Sequence, residues 1–215
     1  MKLYILIAAL ISLLGANASA FTREINRGIY VSGIPSQNIS LNQTRQLEPE
    51  WCWAASITTI LRYYHCNALQ QEVVQHVKGI LVDGAASPED IANALTNTAV
   101  INGNVYQIRA THIPDYNTLV GFLARENPVL LTYQHPQGGH AVVCTAATYS
   151  LDPFGNVHII SLTVRDPWPY SAPKQNWLME YPERVMPQFP PPANIPYEIN
   201  IPPPGDITDM IAVWF

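Results

Sequence analysis

Cys52, His140 and Asp166 follow one another along a chain of 215 residues, and Gln46 stands six positions before the cysteine. A thiol, an imidazole, a carboxylate and a side-chain amide are the groups that thiol-based acyl transfer needs. The thiolate attacks a carbonyl, and the imidazole takes and returns a proton. The carboxylate orients the imidazole, and the amide N–H donates to the oxyanion beside a backbone N–H. An ordinary thiol, with a pKa of about 8.5, is mostly protonated at neutral pH. A helix N-terminus and a nearby imidazolium can lower that value by several units. Each residue also has a plainer alternative: a structural cysteine, a loop glutamine, a turn histidine, a turn-forming aspartate.

Trp53, Ile57, Ile60, Leu61 and Tyr64 recur at helical spacing behind Pro49-Glu50, which predicts a helix from Cys52 to about Tyr64. The cysteine then lies in the first turn, between Trp51 and Trp53, and Trp51 is read as a groove-lining, substrate-binding residue. Leu69, Val73, Val74 and Val77 predict a second helix. Ser87-Pro88-Glu89-Asp90 opens a third, over 88–97, with Ser as cap and Pro at the first position. A short fourth is expected over 115–125.

Strand patterns follow at 128–133, 140–149 and 157–165, rich in Val, Ile, Leu and Thr. Helices first and antiparallel strands afterwards is an α+β order. If 140–149 and 157–165 form one hairpin centred near Pro153, His140 and Asp166 lie equally far from the turn and become cross-strand neighbours. A bulge would shift that register. Gly138 and Gly139 precede His140 and allow a substrate to pass close by, so they too are candidate substrate-binding residues. His135 competes with His140 but is five residues off the hairpin symmetry. His65-Cys66 has no second paired cluster at ligand spacing, so no metal site is expected, and no Gly-rich phosphate loop is present.

The chain as a whole bounds the function further. Residues 1–20 read as a secretory signal peptide: Lys2, an apolar run over 3–16, and the small-x-small site Ala18-Ser19-Ala20. That predicts a mature chain from Phe21, exported to the periplasm or secreted. The apolar run is shorter than the ~20 residues a membrane span needs. No Cys follows the cleavage site, so no membrane anchor is expected. Lys and Arg number 11 against 16 Asp and Glu. With no basic patch, nucleic acid is not an expected partner. Three cysteines in an exported protein leave Cys66 and Cys144 as a possible disulfide, or as two small buried hydrophobes. Residues 21–185 are read as one catalytic domain. Residues 186–215 form a Pro-rich C-terminal arm with two Pro-Pro-Pro triplets, packing on or extending from that domain. The apolar end 210–215 favours return to the body as a short edge strand.

Three segments carry a resemblance: Gln46-x5-Cys52-Trp53-Ala54-Ala55-Ser56, Gly139-His140-Ala141-Val142-Val143 and Asp166-Pro167-Trp168. Together they resemble papain-like cysteine peptidases, in the bacterial branch that includes plant-pathogen avirulence effector proteases and is similar to staphopains. The resemblance implies a papain-like α+β fold, with a helical part carrying Cys52 and a β-sheet part carrying His140 and Asp166. It implies Gln46 as oxyanion donor, no cofactor, and a protein or peptide substrate. Papain itself has Asn in the orienting role, whereas the effector-type branch commonly has Asp. Trp51 replaces the small residues usual before the nucleophile in papain, and the Pro-rich tail has no assigned counterpart. The same residues would also serve a peptidoglycan amidase or endopeptidase acting on cell-wall peptide, or an acyl transferase. A non-catalytic binding module that uses the Pro-rich arm is the remaining alternative.

Overall fold

The helix that carries Cys52 is buried along most of its length, with Trp53 to Leu61 all withdrawn from solvent. A helix apolar around most of its circumference belongs in a core. It ends where Tyr64 N–H returns to the Ile60 carbonyl and Cys66 N–H to that of Leu61, around His65 in the left-handed region (φ 63°).

The computed structural model describes residues 22–96, 98–101, 103–135, 138–168, 197–201 and 207–215. The expected signal peptide and most of the Pro-rich stretch lie outside the described residues. In chain order the elements are β1 (Thr22–Asn26), β2 (Ile29–Gly33), α1 (Ser36–Ile39), α2 (Cys52–Tyr63), α3 (Gln70–Lys78), α4 (Pro88–Leu95), β3 (Thr98–Ile101), β4 (Asn104–Gln107) and β5 (Arg109–His112). There follow α5 (Tyr116–Ala124), β6 (Val129–His135), β7 (Gly138–Leu151), β8 (Val157–Asp166), β9 (Tyr197–Ile201) and β10 (Ile207–Trp214). The four expected helices are α2 to α5. Ser87 caps α4 by accepting the Asp90 N–H at 3.1 Å, and Asp115 caps α5 by accepting that of Thr118 at 2.7 Å.

β7 organises the sheet. β8 runs along one of its edges, while β6 and then β2 share the other. β7 alternates as a two-sided strand should. Ala141 and Val143 enter the core beneath α2, α3 and α4, and Val142 and Cys144 enter the one beneath α5. The fold is α+β, a mostly antiparallel sheet with helices on both faces.

Three features depart from expectation. β1 and β2 precede the helices and join the central sheet, so strands do not come only after them. The apolar C-terminal strand is not at an edge: β10 lies between β6 and β5, with Ile211 and Val213 in one core and Met210 and Ala212 in the other. An apolar run feeding both faces is an interior strand. Finally, the β7–β8 ladder pairs Val143 with Arg165. Continued by one step, it sets Asp166 opposite Val142, two residues from His140. Irregularities between Cys144 and Ala146 and between Thr148 and Tyr149 shift the register within the pair. The carbonyl of Thr145, at the first of these, accepts the Ile34 N–H at 2.7 Å.

Candidate active site

Cys52 is the first residue of α2, reached through a turn in which Trp51 N–H bonds the Glu48 carbonyl. First-turn amides have no acceptor within their own helix, so the Cys52 N–H and the positive end of the helix dipole stand beside the thiol. His140 lies near the start of β7 and Asp166 at the end of β8. An even displacement along a strand keeps side chains on one face, so the diagonal from His140 to Asp166 remains open to them. His140 Nε2–H donates to Asp166 Oδ1 at 2.9 Å, and the Cys52 thiol is near enough to the imidazole to help raise its pKa. With Nε2 on the carboxylate, Nδ1 is the ring nitrogen left for the thiol. The Trp168 N–H also donates to Asp166 Oδ1, at 2.8 Å. Tyr133 and Trp168 stand edge-on to the imidazole, with ring centroids 5.8 and 6.4 Å away.

His140 is 6% exposed and Asp166 1%. Burial pulls the His140 pKa down, but the charge and hydrogen bond of Asp166, together with Cys52, outweigh it and push it up to about 10. The imidazolium is therefore the favoured form at neutral pH. The other two thiols differ. Burial pushes Cys144 up to about 12, and burial, against a hydrogen bond from Tyr106, raises Cys66.

Cys52 lies in a cleft of about 560 Å³ between the helical and sheet parts. One wall is Ala85, Ala86, Ser87 and Ile91; the other includes Tyr133, Gly139, His140 and Trp168. Two hydrogen bonds stitch the halves together beside the reacting groups. Ser56, one helical turn beyond Cys52, donates to the Ala141 carbonyl at 3.1 Å. The Gln46 N–H donates to the Pro167 carbonyl at 2.9 Å.

Not every expected site residue has its expected surroundings. The Gln46 side chain is buried, and its Nε2 donates to the carbonyls of Glu48 at 3.1 Å and Pro49 at 2.8 Å. Trp51 is 4% exposed, is not among the described cleft-lining residues, and turns its indole to the Val82 carbonyl. It is a core residue, not a groove residue. Gly139 lines the cleft; Gly138 opens β7 opposite His135. Cys66 and Cys144 are both free thiols. The even position of Cys144 on β7 sends it into the core on the face opposite α2, while Cys66 belongs to the core that contains α2. The sheet separates them, so of the two readings, a disulfide or two small buried hydrophobes, the structure has the second. Among the described residues no His, Cys, Asp and Glu group is arranged to hold a metal.

Sequence reasoning overlooked Tyr133, Ser56 and the 85–87 wall. Tyr133 was accessible, because it is the direct register partner of His140 across the β6–β7 hairpin. The wall was not, since only folding returns the α3–α4 connection to the cysteine.

A half-buried thiol thus faces a buried imidazole–carboxylate pair between a core helix and an antiparallel sheet, the groups a cysteine hydrolase uses. A family model described as papain-like cysteine protease AvrRpt2 matches residues 34–185. The chain belongs to this family. Among solved structures it is similar to digestive procathepsin L 3 of the Tenebrio molitor larval midgut, at 10% sequence identity and a TM-score of 0.40. That likeness covers 69% of this chain and 62% of the procathepsin chain. No curated protein matches the chain.

Proposed function

We propose that the chain is an exported cysteine peptidase that hydrolyses peptide bonds through Cys52, His140 and Asp166, with Gln46 as an oxyanion donor. The observation that carries this reading is the 2.9 Å bond from buried His140 to Asp166, on an imidazole that lines the same cleft as Cys52. Family membership supports the reaction class. The signal-like residues 1–20 support export, and fractionation with N-terminal sequencing tests it: recovery outside the cytoplasm with a start at Phe21 is expected, and retention in the cytoplasm with an intact Met1 would contradict export.

In the reaction, Cys52 Sγ forms a bond to the carbonyl carbon and the C=O π pair moves to oxygen. The Cys52 N–H and the Gln46 amide donate to that oxyanion. For Gln46 this means giving up one of its two carbonyl partners, and the longer bond, to Glu48, is the weaker. The tetrahedral centre collapses, the C–N bond breaks, and the proton on His140 goes to the departing amine. Water then attacks the thioester and delivers a proton to His140. Breaking the C–S bond releases the acid and restores the thiolate–imidazolium pair. Asp166 keeps the ring oriented and its charged form stabilised throughout.

The test is hydrolysis of a diverse peptide library by the mature chain and by Cys52→Ala. Cleavage by the first alone is expected. Release of cell-wall peptides with no proteolysis would move the substrate to peptidoglycan.

A further inference from the structure

We propose that Trp51 is a positioning residue that sets the width of the substrate cleft by holding the segment 82–84, and so governs substrate binding rather than bond cleavage. The proposal rests on the peptidase reading above. Its observations are three hydrogen bonds from the residues that flank Cys52. Trp51 Nε1–H donates to the Val82 carbonyl at 2.9 Å, and Trp53 Nε1–H to the Gly84 carbonyl at 3.1 Å. Between them, the Glu50 N–H donates to Asp83 Oδ1 at 3.0 Å. Three consecutive residues of the α3–α4 connection thus hang from the segment that carries the thiol.

This connection has little else to hold it there. It runs from the left-handed cap Gly79 (φ 73°) to the cap Ser87 without regular structure. Its apolar side chains Ile80, Leu81 and Val82 are 62%, 58% and 40% exposed, so burial holds it only near its end, where Ala86 packs against the core. Yet the residues just after the three bonds, Ala85 to Ser87, form the cleft wall that faces Tyr133 and His140. The wall is thus set from two ends, by the three hydrogen bonds before it and by the α4 cap at Ser87 after it. The reacting groups are held separately, by Ser56 on Ala141 and by the Gln46 N–H on Pro167. An indole N–H only donates. Replacing Trp51 by Phe removes the bond to Val82 and retains an aromatic ring in the core.

The experiment measures kcat and KM of Trp51→Phe on a peptide that spans the cleft, the rate of Cys52 alkylation by iodoacetamide, and amide hydrogen exchange. The expected result is a KM raised about fivefold, the scale of one hydrogen bond, with kcat and the alkylation rate unchanged. Exchange should quicken over 79–87 and not in β7. Asp83→Ala, at an exposed position, should raise KM in the same way and keeps the test open if Trp51→Phe does not fold. Unchanged exchange over 79–87 overturns the proposal, as does a fall in kcat and alkylation at constant KM. A wild-type chain that alkylates at Cys52 but cleaves no peptide overturns the peptidase reading, while exchange over 79–87 still reports on the hold of Trp51 on that segment.

Discussion

Asp166 reaches His140 along a diagonal of the sheet. The β7–β8 ladder ends at the pair Val143–Arg165; one step beyond it Asp166 comes level with Val142, and its carboxylate meets the imidazole two residues earlier on β7 at 2.9 Å. A second donor, the Trp168 N–H, holds the same oxygen. The carboxylate position is thus fixed from the strand and from the turn that follows it.

Asp166→Asn tests the charge at that position. Asparagine can still accept the Trp168 N–H and support the ring, but it removes the charge that offsets the burial of His140. We expect kcat/KM to fall by about 10²–10⁴. The alkaline limb of the rate, set in the wild type by an imidazole raised to about 10, should move to lower pH. The pH–rate profile of the two proteins is the measurement, and an unmoved limb contradicts the role.

The same raised pKa makes a stability prediction. A histidine with a folded value above its unfolded one contributes stability that is complete below the unfolded value, about 6.5. That contribution is lost as pH rises through the folded value of about 10. Urea unfolding should therefore show wild-type stability declining across this window. His140→Gln should show less of that decline.

Gln46→Ala should lower kcat by about 10², the usual cost of one oxyanion donor. Glu48 and Pro49 also lose their side-chain donor, so the loop before Cys52 should loosen. A kcat unchanged in a folded Gln46→Ala would show that the amide serves only the loop carbonyls.

Ser56→Ala removes the hydroxyl stitch to the Ala141 carbonyl, one turn from the thiol and one residue from the imidazole. A small misplacement of either partner reduces rate more than binding, so kcat should fall about tenfold while KM holds. Thr58→Ala is the control, because its hydroxyl bonds within α2 to the Ala54 carbonyl at 2.7 Å. Equal losses in the two variants would assign the effect to helix stability alone.

Much of this site was legible in the sequence because its signals are local. The apolar spacing behind Pro49-Glu50 located α2 with Cys52 at its first turn, and Ser87-Pro88 located α4. The richness of 140–149 in strand-forming residues located β7. The hairpin symmetry brought His140 and Asp166 to the same face but misjudged the register by two residues, since backbone irregularities leave little trace in residue types. The rest depends on non-local pairing. Nothing in the run 210–215 says that β10 slots between β5 and β6. Nor does Trp51 reveal that its indole turns away from the cleft to Val82. Cys66 and Cys144 looked pairable until the parity of β7 put the sheet between them.

The most direct test of the account is the pH dependence of iodoacetamide alkylation at Cys52, in the wild type and in His140→Ala, read by peptide mapping against Cys66 and Cys144. The His140 imidazolium beside the thiol predicts selective labelling of Cys52 in the wild type, lost in His140→Ala, with the two buried thiols unlabelled. Labelling of Cys52 at the same rate and with the same pH dependence in both proteins would contradict it.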